Sequence, residues 1–402
     1  MKRIYLDNNA TTPVEPSVLA SLLPYYKNLY GNPSSVHWAG REVQVAIDEA
    51  RAQVAALINA QPEEIIFTGG GSESDNLAIF GSADALKSTG NHIITTVVEH
   101  SAVLDSCRYF EQQGGKVTYL AVNKLGQIDL AELEAAITAQ TVLISIMWAN
   151  NETGVIFPVA KIAEIAQRHQ VRFHCDAVQA LGKVPIDMVN CPVDLLAISG
   201  HKIGAPKGIG ALYVRQGNKL NPVIHGGHQE HSLRAGTHNV AGIVGFGKAC
   251  QLAQHDLATK VDSLCQLRDH LQQGIVESIV DVTVNGDLQH RLPNTLNIGF
   301  SFIEGEGLLL SLDMQGIASS SGSACTSGSD APSHVLSAMH VDKVLIQSCL
   351  RFSLGYQNTV AEIDKTLEVL PGIVARLRAM SPMLIDDIDM DNCQYVECVL
   401  DH

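Results

Sequence analysis

Between about residues 40 and 250, short apolar runs alternate with amphipathic stretches, and this alternation restricts the fold more than any other feature of the chain. The pattern predicts strands over 64–68, 91–97, 116–122, 142–147, 171–175 and 195–198. It predicts helices over 43–58, 131–138 and 159–169, with helical stretches between most of the strands. Strands that alternate with helices argue for an α/β domain with a mostly parallel sheet. Polar residues cluster where these strands end, outside the carboxyl ends, where open α/β sheets bind ligands.

The rhythm changes after about residue 250. A helix over 250–275 leads into strands, a Gly/Ser-rich loop and more helix. The division expected is a large domain over 14–256 and a smaller α+β domain over 257–402, joined by residues 1–13. A chain of 402 residues, 46% hydrophobic and 17% charged, has the apolar content for two such cores. The last 17 residues, from Asp386 to His402, hold six acidic side chains and no Lys or Arg, and read as a solvated tail.

Charge and cysteine usage bound the surroundings. A formal net charge of −15 argues against a nucleic-acid partner, because phosphate binding needs a basic face. The opening Met1-Lys2-Arg3 has no apolar stretch behind it, so no signal peptide is expected. The run 142–149 is too short for a bilayer, which takes about 20 apolar residues. Nine cysteines without framework spacing fit reduced thiols, and a cytoplasmic location is expected. His225, His228, His231 and His238 crowd one stretch without a metal-ligand pattern, and no metal is expected.

Three motifs carry the chemistry. In Ser199-Gly200-His201-Lys202, a lysine among small residues follows a strand, where its amine could link covalently to an aldehyde cofactor. Alone, such a lysine reads as a loop residue. His174-Cys175-Asp176-Ala177-Val178-Gln179 ends another strand, and a carboxylate after an apolar run is costly to bury without a partner. Alone, Asp176 reads as a helix cap or metal ligand; beside Lys202, a pyridinium nitrogen is the natural partner. Gln179, three residues on, can donate to the ring oxygen of the same cofactor. The third motif, Thr68-Gly69-Gly70-Gly71-Ser72-Glu73, joins a strand to a helix and exposes backbone N–H groups to an anion. No Lys follows the glycines, so it is not a P-loop.

Taken in order, these stretches resemble the cysteine desulfurases, fold-type I pyridoxal-phosphate enzymes, in the branch serving nitrogenase and housekeeping iron–sulfur cluster assembly. The resemblance runs from Tyr5-Leu6-Asp7-Asn8-Asn9-Ala10-Thr11-Thr12-Pro13 to about Gly355. It includes Gly31-Asn32-Pro33-Ser34-Ser35, Glu99-His100-Ser101-Ala102-Val103, Asn150-Asn151-Glu152-Thr153-Gly154 and Arg234-Ala235-Gly236-Thr237.

The resemblance implies pyridoxal 5′-phosphate held covalently by Lys202, which would also move protons at the substrate carbon. His100 would stack on the ring and assist proton transfer, with Asp176 and Gln179 in the roles above. Gly71, Ser72, Ser199 and His201 would hold the phosphate, and Thr237 would contribute from the other subunit of a homodimer. Asn151, a contact of the cofactor as well, and Arg351 in Leu350-Arg351-Phe352-Ser353-Leu354-Gly355 would hold the carboxylate of L-cysteine. The family usually has Ala-Thr where this chain has Gly71-Ser72; serine keeps the hydroxyl.

Cys325 lies in Ser319-Ser320-Ser321-Gly322-Ser323-Ala324-Cys325-Thr326-Ser327-Gly328-Ser329, among small polar neighbours that predict exposure and mobility. This stretch resembles the long-loop branch of the family. The implied reaction turns L-cysteine into L-alanine and leaves the sulfur as a persulfide on Cys325, for an iron–sulfur scaffold or another acceptor. The other cysteines read as structural. An aminotransferase on the same scaffold would have no need of a thiol there; selenocysteine lyase is the closer rival. A non-catalytic sulfur-binding scaffold would leave Lys202, Asp176 and His100 unexplained.

Overall fold

The computed structural model describes residues 3–255, 257–321 and 332–381. Seven strands form the main sheet, in the spatial order Ile65–Thr68, Gly210–Val214, Leu195–Ser199, Arg172–Asp176, Thr141–Ser145, His92–Thr96 and Lys116–Leu120. Every neighbouring pair is parallel except the two made by Gly210–Val214. Parallel neighbours need a crossover of a dozen or more residues, whereas only ten residues separate this strand from Leu195–Ser199, so it returns antiparallel. Gly204 and Gly208, at φ 85° and 80°, make the turns of that return. The inner strands His92–Thr96, Thr141–Ser145 and Leu195–Ser199 are buried along their whole length, as both faces of a parallel sheet are when helices cover them.

The predicted strands appear within a few residues of their expected ends. The expected helix over 43–58 is Trp38–Leu57, with His37 accepting from the Gly40 N–H at its start. Val43, Ile47, Ala50 and Val54 recur at helical spacing and are buried. The expected helix over 131–138 is Leu130–Ala136, begun by Asp129, whose Oδ1 accepts from the Ala131 N–H at 2.8 Å. The helix expected over 250–275 lies across two described helices, Val240–His255 and Leu257–Ser278. None of the described helices is long and apolar enough to cross a membrane.

A second sheet, antiparallel, has the order Ser320–Ser321, Cys349–Ser353, Thr295–Phe300, Val282–Asn285. Its core unites Leu264, Leu271, Leu296, Phe300, Leu350 and Phe352 with Ile4 and Leu6. The N-terminal strand Ile4–Tyr5 pairs in parallel with Ile317–Ala318. From there the chain crosses to the main sheet, where the Asn9 and Ala10 carbonyls meet Lys202. Val335, Leu336, Met339 and Cys349 pack in the core of the main sheet although they lie late in the chain.

Candidate active site

One pocket gathers most of the residues singled out in the sequence. Gly71, Ser72, His100, Asn151, Asp176, Gln179, Ser199, His201 and Lys202 line it, together with Asn9, Asp75 and Val178. Strand ends and helix starts supply most of these side chains, and turns supply Asn9, Asn151, Val178 and Gln179.

Lys202 closes a short turn after the strand Leu195–Ser199, and its Nζ donates to Asn9 O at 2.6 Å and Ala10 O at 2.7 Å. Asp176 ends the neighbouring strand, and one of its oxygens accepts from the Val178 N–H at 2.9 Å. Burial pushes the Asp176 carboxyl up, while His100, the Val178 N–H and Lys202 draw it back. His100 caps the helix Ser101–Gln112; its Nδ1 accepts from the Ala102 N–H at 3.1 Å, which leaves the neutral ring's proton on Nε2. His201 is held at about 4 by burial and by the positive charges of Lys202, Lys207 and Lys183, so it is neutral at pH 7.

The opposite end of the pocket is shaped for an anion. Gly70, at φ 151°, precedes the 15-residue helix Gly71–Ala85. That backbone conformation is open to glycine and strained for other residues. Ser199 is 1% exposed, and its Oγ has no hydrogen-bond partner among the described residues. A buried hydroxyl beside a helix N-terminus, with the Ser72 side chain alongside, is a set of donors suited to phosphate. The departure from Ala at position 71 has a steric reason: a Cβ there would lie 2.6 Å from Val178 Cγ2.

Two of the expected residues stand outside the pocket. Arg351 does not line the pocket. It is 1% exposed and sits behind Asn151, with Nη1 donating to Asn151 O at 3.0 Å and Nη2 to Asp7 Oδ1 at 2.8 Å. Thr237 is exposed and also outside the pocket. Cys325 lies outside the described residues, as does the tail from residue 386.

Sequence motifs overlooked a layer of buried groups. Asn9 is the hub: its backbone O accepts from Lys202 and Gln179, its Oδ1 from Lys183 and Asn294, and its Nδ2 donates to Asn151 O. Asp75 and Glu99 lie fully buried near Asp176. Burial raises Asp75 well above the usual carboxylate range, with Asp176 and Glu99 adding to it. Burial also raises Glu99, to about 8, against hydrogen bonds from Met147 N–H and Thr96 Oγ1. Asn9, Asp75 and Glu99 stand inside or beside the recognised motifs, but nothing in spacing shows that a residue at position 9 meets one at 202. Among the described residues no group of three or more His, Cys, Asp or Glu side chains could hold a metal ion.

Residues 4–366 match the class-V aminotransferase family. A cysteine desulfurase of Nostoc sp. is 53% identical over 387 residues, 96% of each chain. The chain belongs to the class-V aminotransferase family, among its cysteine desulfurases. The cysteine desulfurase IscS of Methanosarcina thermophila is 50% identical, over 95% of this chain and 94% of its own. Among solved structures, a NifS-like protein superposes with a TM-score of 0.88 at 38% identity, covering 94% of this chain and all of that one. The fold-type I assignment, α/β with a mostly parallel central sheet, holds.

Proposed function

We propose that this cysteine desulfurase uses pyridoxal 5′-phosphate to convert L-cysteine into L-alanine, and that Cys325 receives the sulfur as a persulfide for transfer to an acceptor of the iron–sulfur cluster pathway. The observation that carries the cofactor reading is the convergence in one pocket of a lysine amine, a buried carboxylate and an unpartnered buried hydroxyl at a helix N-terminus. The residues present fit the group. Lys202 would hold its aldehyde, Asp176 its ring nitrogen, Gln179 its ring oxygen and His100 its ring face. Gly71, Ser72, Ser199 and His201 would hold its phosphate. When bound, the cofactor supplies an electron sink for bonds at the substrate's amino-bearing carbon.

The chain's own residues supply the rest. Lys202 Nζ, released to act as a base, takes a proton from the substrate carbon and returns one as alanine forms. Asp176 keeps its negative charge against the ring nitrogen, and the low dielectric around it strengthens that pairing. Asn151 would hold the substrate carboxylate from the pocket wall, and Arg351, set behind Asn151, would reach it through Nε, a buried donor without a hydrogen-bond partner among the described residues. The Cys325 thiolate attacks the substrate sulfur. An S–S bond forms, the carbon–sulfur bond breaks, and its electron pair ends in a C–H bond of alanine once a proton arrives. Cysteine plus thiol thus gives alanine plus persulfide, with no outside oxidant. A thiol of ordinary pKa, ~8.5, gains from a nearby proton acceptor, the role assigned to His100. A homodimer completes the site, with the exposed Thr237 reaching the partner's phosphate group.

The test separates cofactor from sulfur chemistry. Cys325→Ser is expected to stay yellow and bind L-cysteine while releasing alanine and sulfide only at trace rates. Lys202→Ala is expected to lose borohydride-trapped pyridoxyl label, which peptide mapping of the parent protein should find on Lys202. Near-normal alanine release by Cys325→Ser would reject the nucleophile, and label on Lys207 would reject the lysine.

A further inference from the structure

A second buried lysine stands behind the pocket. Lys183 is 5% exposed, and its Nζ lies 3.0 Å from Gln179 Oε1 and 3.3 Å from Asn9 Oδ1. The other end of the same amide, Gln179 Nε2, donates to Asn9 O at 3.0 Å. An amide terminus has two orientations of similar intrinsic energy, so its surroundings decide between them. A protonated lysine only donates, a neutral one keeps a single lone pair beside its two N–H groups, and an amide oxygen, like the Asn9 carbonyl, only accepts. Turning the amide over would set its NH2 against the Lys183 donors and its oxygen against the Asn9 carbonyl. Burial, with the positive charges of Lys202 and Arg351, holds Lys183 down at about 7. It can therefore donate without always adding a full charge beside Lys202.

We propose that Lys183 is a positioning residue that locks the Gln179 amide with its NH2 group available to the cofactor's ring oxygen. The proposal rests on the pocket being a pyridoxal-phosphate site. Lys183 itself does not line that pocket; it acts through Gln179 and through the Asn9 hub.

The test is a double-mutant cycle on protein reconstituted with pyridoxal phosphate and read without substrate. The two readouts are the cofactor's dissociation constant and the pH midpoint of its visible absorption band. Losing one hydrogen bond of ~1 kcal/mol corresponds to about a fivefold weaker affinity. Lys183→Met is therefore expected to weaken cofactor binding about fivefold and to move the midpoint in the same direction as Gln179→Ala. The double variant should match Gln179→Ala alone, because the two residues act as a unit. Lys183→Arg keeps a donor, and the small cavity that Lys183 shares with Tyr356 and Gln357 gives it room, so it should restore most of the parent's affinity, while its permanent charge shifts the midpoint. A Lys183→Met protein with the parent's affinity and midpoint would overturn the proposal, as would effects that multiply in the double variant. A fall in melting temperature with an unchanged spectrum would mark Lys183 as merely structural. Should Lys183→Met not fold, Lys183→Ala is read in the same cycle. A parent protein that binds no pyridoxal phosphate would instead reject the function proposed above.

Discussion

Gly71→Ala tests whether the two halves of the pocket are sterically joined. A Cβ at position 71 would stand 2.6 Å from Val178 Cγ2, about 1 Å inside the ordinary carbon–carbon contact of ~3.5–4.0 Å. Val178 is β-branched and cannot easily rotate the methyl away. Its N–H also holds the Asp176 carboxylate at 2.9 Å, so a displaced Val178 disturbs Asp176. Overpacking of this kind costs ~1–3 kcal/mol. Alanine in place of glycine recovers up to ~1 kcal/mol of helix propensity, less at the first residue of a helix. The clash therefore wins, with a net loss of up to ~2 kcal/mol, or about 30-fold in cofactor affinity if the loaded state bears all of it. The assay is a spectroscopic titration of apo protein with pyridoxal phosphate, beside thermal unfolding of the apo form. Val178→Ala in the same chain removes the offending methyl and should restore most of the lost affinity. Parent-like binding by Gly71→Ala, or simple additivity of the two changes, would refute the steric coupling.

Glu230 anchors the edge strand Ile65–Thr68, which leads into the glycine-rich turn. Its carboxylate meets Arg51 through two bonds of 2.6 and 2.8 Å, the Phe67 N–H at 2.7 Å and His238 Nε2 at 2.8 Å. Despite burial, these partners hold it at about 2. A carboxyl that falls from 4.5 to about 2 on folding contributes ~3 kcal/mol, present above pH 4.5 and lost as the pH falls through about 2. Glu230→Gln should therefore cost ~3 kcal/mol or more in urea unfolding at pH 7, because Arg51 is left uncompensated, and it should flatten the acid limb of the stability profile. Equal stability of variant and parent at pH 7 would count against it. Removal of residues 386–402 should leave alanine production from free cysteine within twofold of the parent, since the pocket is already lined by residues 9–202 among those described. A large loss would show that the tail belongs to the working core.

The alternation of apolar runs determined the parallel sheet, because a strand buried on both faces is mostly apolar along its length, whatever it packs against. Lys202, Asp176 and Gln179 were legible for a related reason. Asp176 ends a strand and the other two follow a strand end by three residues, and a polar residue so close behind an apolar run has few roles that tolerate burial. The antiparallel strand Gly210–Val214 was not expected, since its sequence resembles its parallel neighbours and only the short return before it sets its direction. Nothing local could show that Asn9 meets Lys202, Gln179, Lys183 and Asn151 at once, because those contacts arise when the N-terminal segment leaves the second core and crosses to the first. The same holds for Val178 against Gly71, and for Arg351, which Asp7 and Asn151 occupy behind the pocket rather than in it. Sequence by itself determined which side chains had chemistry to offer and which elements would carry them. Tertiary structure alone decided which of them share a buried space, because burial and contact between distant segments set their hydrogen-bond partners and their charge.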